Sequence, residues 1–217
     1  MPRPHARRLA VGLPLAGLLL AHPASAADGA DLREFRVGMP AAELPAEGYT
    51  GFTCADDPAR KLDGWQDFAA CPADARGLHA VRFRYDEAAN PAAAMGGQFE
   101  GTQVAGHPVV LTLLIGDAMT VDGLVIETDP KARLYLRKKA FLFADQVKAR
   151  YGEEGWACRN ASPADDEEPV GGLLIKEHCE KTGDGRRLVL DRQLFRHTGQ
   201  DLKDFVESTR LEILRAG

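Results

Sequence analysis

The chain has 217 residues, 27 Lys and Arg against 32 Asp and Glu, a formal net charge of −5 and 45% hydrophobic residues. That balance carries no basic stripe with interleaved aromatics, which excludes a protein that grips nucleic-acid phosphate. The apolar content is that of a chain folding around a core, and no segment beyond the N-terminal leader nears the ~20 apolar residues of a bilayer crossing.

In chain order, Arg3, Arg7 and Arg8 precede an uncharged apolar run over 9–21. Ala24-Ser25-Ala26 then places small residues at −3 and −1 of a signal-peptidase site. Residues 1–26 therefore read as a cleaved signal peptide, and the address is periplasmic or secreted. The Arg7-Arg8 pair keeps the twin-arginine route open beside the general one. Removing the leader's three arginines takes the net charge from −5 to −8.

A short helix is expected over 41–44, ended by Pro45. Strands are expected at 49–54 and 64–70, and at 79–85, where His79, Val81, Phe83 and Tyr85 alternate with polar neighbours. The Ala- and Gly-rich stretch 90–101 reads as a loop. A β-hairpin is expected from 108–115, the Gly116-Asp117 turn and 120–128. The best-marked helix spans 130–151, with Asp129 as N-cap, Pro130 at the first helical position and Gly152 beyond the end. Leu136, Ala140, Phe143, Val147 and Tyr151 recur at three- and four-residue steps along it. Strands follow at 155–159, 172–180 and 186–195, the last two joined by the turn Thr182-Gly183-Asp184-Gly185. Asp165 to Glu168 reads as an exposed acidic loop. From about Asp201, Leu202, Phe205, Val206, Thr209 and Ile213 share one face of a C-terminal helix. The class is α+β: antiparallel sheet with packed helices, in a half over 27–101 and a half over 102–217 that share one domain or form two.

Four cysteines in an exported chain read as two disulfides, and the local pairing Cys54 with Cys71 and Cys158 with Cys179 keeps each bridge inside its own half. No CxxC occurs, which argues against thioredoxin chemistry, haem attachment and ribbon-type zinc.

The halves also share an order: a helix, a strand near a cysteine, a loop, a strand near a second cysteine, and an alternating strand. With Gly38-Met39 near a helix start, this order over 35–85 and 132–195 resembles the tandem helix-plus-sheet repeat of the β-lactamase-inhibitor-protein and SmpA/BamE-like fold. The hairpin at 107–128 has no counterpart in a two-repeat scheme. The resemblance implies a binding module that sets its sheet face or loops against another protein, with no catalytic residues.

Chemistry-bearing motifs are scarce. Ser162 and Ser208 lie outside GxSxG and SxxK patterns, and the histidines His79, His107, His178 and His197 are far apart in sequence. No metal or cofactor is called for. The charge layout is more informative: 130–151 carries Lys131, Arg133, Arg137, Lys138, Lys139, Lys148 and Arg150 against Asp145 alone. A basic amphipathic helix grips an acidic partner or lies on anionic lipid; the plain alternative is a solvated outer face paired with the chain's own acidic loops. The expectation is a non-catalytic envelope protein acting through protein contact, with Arg137, Lys138 and Lys139 as contacts. A second expectation is a hydrolase or small-ligand site assembled from His107, His178, Asp122 and Glu127.

Overall fold

The alternating stretches of the first half become a meander of β1 (Tyr49–Cys54), β2 (Leu78–Tyr85), β4 (His107–Gly116) and β5 (Val121–Thr128), with the two-residue β3 (Gln103–Val104) folded back on β4. The computed structural model describes residues 29–86, 102–201 and 203–217, so the leader and the expected loop over 90–101 lie outside the described residues. A second meander follows: β6 (Ala157–Asn160), β8 (Ile175–Gly183), β9 (Arg186–His197) and β10 (Val206–Arg215), with the short β7 (Glu167–Glu168) on the end of β9. The order across the sheet is β1-β2-β4-β5-β10-β9-β8-β6, every neighbour antiparallel. Two four-stranded meanders thus meet through their last strands. Since β2 pairs with β4, the sheet runs straight across the expected boundary at residue 101.

Helices are the minor part. Among the described residues, beyond 3-10 turns, they are α1 (Leu134–Arg137) and α2 (Phe143–Tyr151). The expected continuous helix over 130–151 is broken, and the break has visible causes. Asp129 accepts a hydrogen bond from the Lys131 amide and its carbonyl accepts from Ala132, a local turn that α-helix does not follow until Leu134. The Ala140 carbonyl, which an unbroken helix would give to Ala144, accepts from Thr209 Oγ1 on β10 at 2.9 Å. A 3-10 turn over Ala140–Leu142 results. The expected stripe survives the break: Ala140, Phe143 and Val147 are buried, with Leu136 and Tyr151 half-buried. Gly152 ends α2 at φ 86°, and Lys181 Nζ donates to the Tyr151 and Gly152 carbonyls, placing a cation at the helix C-terminus.

Two other expectations are corrected. Residues 64–70 hold a 3-10 helix, Trp65–Ala70, in place of a strand. Trp65 and Phe68 eclipse at a three-residue step and bury together, and Asp67 accepts from the Asp63 amide. The C-terminal helix is instead β10, a central strand. Its inward residues Glu207, Thr209, Leu211 and Ile213 fall at every second position. With β10 a strand, the hairpin β4–β5 does have a counterpart, the hairpin β9–β10. The helix near residue 41 is the three-residue turn Ala41–Glu43, and Gly38, at φ 89°, donates to the Val121 carbonyl and hooks this segment to β5.

One face of the sheet is covered by the 31–44 segment, the Trp65–Ala70 turn and the 134–151 region; Phe35, Leu111, Leu113, Leu124, Leu190, Leu211 and Ile213 form its core. Phe35, Tyr49, Trp65 and Phe83 meet edge-to-face there, with ring centroids 4.9–5.8 Å apart. Among the described residues, the other face buries less: a small cluster of Leu114, Val125 and Leu214 with Leu78 and Ala80 against it, and the separate Thr112, Val189 and Phe195. Both expected disulfides form, Cys54–Cys71 and Cys158–Cys179. Each anchors an outermost strand. That matters most for β6, whose four residues are all exposed, so that covalent attachment to β8 replaces the packing it lacks.

Leu211 is 1% exposed at the centre of the sheet, whereas Leu173 is 50% exposed. Leu211→Ala is expected to cost about 2–5 kcal/mol in denaturant unfolding, and Leu173→Ala less than about 0.5 kcal/mol.

Candidate binding surfaces

The basic residues of 130–151 divide into two sets. Three are spent internally: Arg137 Nη2 donates to the Lys203 and Phe205 carbonyls, each at 3.1 Å, Lys148 pairs with Glu177 at 3.3 Å, and Arg150 Nη2 donates to the Ala30 and Asp31 carbonyls. Arg137 also lies over the Phe205 ring, so it is a tether for the strand entry to β10. The other four, Lys131, Arg133, Lys138 and Lys139, are exposed, and among the described residues none reaches an acidic side chain within ion-pair distance.

These four cations surround exposed apolar surface. Of the five large hydrophobic side chains exposed among the described residues, three lie here: Leu134, Tyr135 and Leu142. They lie off the inward stripe of Leu136, Ala140, Phe143, Val147 and Tyr151, on the side of the segment turned away from the sheet.

The acidic run does not neutralise this patch. Its expected exposed loop is a strand end wired into the second meander: Glu167 pairs with Lys176 at 2.7 Å, Glu168 with Arg196 at 2.5 Å and Asp166 with His197 at 2.9 Å.

The residues weighed for an assembled active site do not converge. His107 stands on the covered face of β4 with its ring 5.5 Å from that of Phe143, and His178 stands on the open face of β8. Four strand spacings separate them, about 19 Å. Asp122 binds Thr120 and lies 3.4 Å from Arg215, while Glu127 is cross-strand from Arg210. His79 donates Nδ1–H to the Cys71 carbonyl, a structural bond beside the first disulfide. Cys158, Glu177 and Cys179 do come within ligand distance of one another, but the two sulfurs are joined to each other.

Sequence reasoning missed one acid, Glu207. It sits in the interior side of β10, with one oxygen 3.5 Å from the Phe141 amide and the other buried without a hydrogen-bond partner. Burial pushes its carboxyl up to about 7. His107 lines the same cleft, and burial, with Lys139 nearby, holds its imidazole below the ordinary value. An acid and a base of shifted affinity in one cleft would suit proton transfer. The cleft encloses about 10 Å³, however, space for one water and no substrate.

The open face carries a ladder of charge. Reading cross-strand pairs from β5 to β6 gives Glu127, Arg210, Asp191, His178 and Arg159 side by side. His178 contacts Asp191 at 2.7 Å and Glu180 at 3.0 Å, and Glu180 also pairs with Arg187 at 2.8 Å. The Glu180 and Asp191 carboxylates raise the His178 affinity for protons, and His178 and Arg187 hold Glu180 down at about 2. His178, Asp191, Glu180 and Arg187 thus pair with one another on this face, whereas the four cations of the 131–142 patch make no ion pair among the described residues.

No family model, no curated protein and no solved structure matches this chain.

Two pH effects follow, of opposite sign. Glu207 titrates near 7 when folded and near 4.5 when unfolded, so between those values the unfolded chain sheds a proton that the folded chain keeps, and stability falls as pH rises through that window. Glu207→Gln removes this loss; its melting temperature relative to the parent is expected to climb from pH 4.5 to pH 7. His178 is the reverse: its raised folded affinity adds stability below the unfolded value of 6.5 that disappears as pH rises through the folded value. His178→Gln is expected to lower the melting temperature most at about pH 5.5 and progressively less as pH rises above the unfolded value, read by calorimetry across pH.

Proposed function

We propose that this chain is an exported, non-enzymatic binding protein of the cell envelope that docks the 131–142 patch on the acidic surface of a protein partner. The observation that carries the reading is the coincidence of four exposed cations, without ion-pair partners among the described residues, and three exposed large hydrophobic side chains within twelve consecutive positions. Protein interfaces use an apolar, Tyr-rich centre with a charged rim, and complementary charge speeds encounter and fixes orientation. The chain is acidic overall at −5, so the patch is a local reversal of sign that selects partners the rest of the surface repels.

Two further features support the reading. The leader over 1–26 and the two disulfides fit an oxidising compartment, the periplasm or the exterior. The likeness of each half to the β-lactamase-inhibitor-protein and SmpA/BamE-like repeat implies the same kind of role, binding through a sheet-backed surface. The geometry changes which residues to alter. Arg137 belongs to the fold, so Arg133 takes its place beside Lys138 and Lys139.

The test is a capture from periplasmic extract by the tagged protein at low and at high salt, followed by affinity measurement with the purified partner. The reading expects a salt-sensitive partner, bound at least about tenfold more weakly by the Arg133→Glu/Lys138→Glu/Lys139→Glu variant, whose melting temperature stays at the parent's. Arg137→Ala should instead lower the melting temperature. Unchanged affinity in the folded triple variant would overturn the reading.

A further inference from the structure

Above the seam the 30–33 segment and α2 are tied to each other, Arg150 and Tyr151 donating to the Ala30 and Asp31 carbonyls. Beside that tie a pocket of about 180 Å³ remains above the junction of β5 and β10. Its floor is the cross-strand pair Ile126 and Leu211, both buried, and its walls include Phe143 and Val147 of α2, Leu32, and Val104 of β3. An apolar cavity of ~150 Å³ takes up benzene, because water there finds too few polar partners. This space is of that size, well below the ~300–1,000 Å³ of larger ligand sites.

The rim is polar and cationic. Arg33, Gln146 and Arg150 line it. The one carboxylate at the pocket, Asp31, accepts from the Val37 amide at Oδ2, 2.7 Å, and has Arg186 Nε 2.8 Å from Oδ1. Burial still raises its carboxyl above the ordinary value, which weakens its repulsion of a second carboxylate. Arg150 gives Nη2 to the Ala30 and Asp31 carbonyls, and a guanidinium has five N–H donors in all. Arg33 lies over the Tyr85 ring, 3.4 Å from its centroid, on a backbone with φ 50°. Ala105, across the rim, has φ 51°. Ala105 and Gly106 form the tight turn between β3 and β4, whose paired ends are Val104 and His107.

We propose that the seam pocket binds a small amphipathic carboxylate, an aromatic acid or a short-chain fatty acid. The apolar body rests on Ile126 and Leu211, and the carboxylate sits at the rim between Arg33 and Arg150, whose planar forks match its two oxygens. A bound ligand touches both meanders and both covers at once, so it stabilises the seam as a whole.

Sodium benzoate and sodium hexanoate are the probes, with benzyl alcohol and 1-hexanol as neutral counterparts of the same body. Methyl NMR of the full chain locates binding, and titration calorimetry measures it. The proposal expects shifts at the Ile126, Val147 and Leu211 methyls, a carboxylate Kd below about 1 mM, and alcohols weaker by about tenfold. Arg33→Gln, at an exposed side chain, should bring carboxylate affinity down to that of the alcohol while the alcohol is unaffected. Absence of methyl shifts up to about 10 mM carboxylate, shifts confined to other regions, or equal affinity for acid and alcohol would each overturn it.

Discussion

The pairing of β5 with β10 holds the molecule together. Five consecutive residue pairs, from Gly123 with Leu214 to Glu127 with Arg210, join two meanders that otherwise each end in an open edge. Leu124, Ile126, Leu211 and Ile213, all at or below 2% exposure, lie on its covered face. Everything above the sheet is organised by that seam. The 31–44 segment hooks onto β5 through Gly38 and Val121, and it reaches across to β9 through Asp31 and Arg186. Thr209 of β10 takes the Ala140 carbonyl and so fixes where the covering helix breaks. With the centre sealed by hydrogen bonds and apolar contact, weakness is left to the two outer edges, where the disulfides sit.

Much of this was legible in the chain because the local signals agreed with the tertiary ones. The hairpin β4–β5 has a continuous apolar strand on each side of its turn, and the Asp184-Gly185 turn of β8–β9 supplies the two positive φ values a tight hairpin needs. The cysteine pairing followed from spacing. The inward stripe of the 130–151 region held for Ala140, Phe143 and Val147, although Thr209 interrupts the helix that carries it.

What failed did so for identifiable reasons. Around β10 the four-residue spacing of Phe205, Thr209 and Ile213 fits a helix as well as a strand, and the buried Glu207 conceals the alternation that would have favoured a strand. Around Trp65 the apolar residues are too few to distinguish a period of two from one of three. The acidic run looked solvated because its partners, Lys176, Arg196 and His197, come from strands that follow it in sequence. The seam pocket could not be read at all: Leu32, Val104, Ile126, Phe143 and Leu211 are drawn from five separate segments, and only the sheet order brings them together. The basic patch was visible as composition, but the division of labour within it, Arg137 inward and Arg133 outward, depends on the helix break.

Native-state hydrogen exchange along β10 tests the account most directly, because the C-terminal segment was the one element whose local pattern pointed to a peripheral helix. A central strand hydrogen-bonded on both sides exchanges only through global opening, so the amides of 208–214 should be among the slowest in the protein and should match those of 123–127 in opening free energy. Exchange of 208–214 through fast local fraying, with 123–127 still protected, would show that the two meanders are not joined there, and the seam, its pocket and the helix break would all lose their basis.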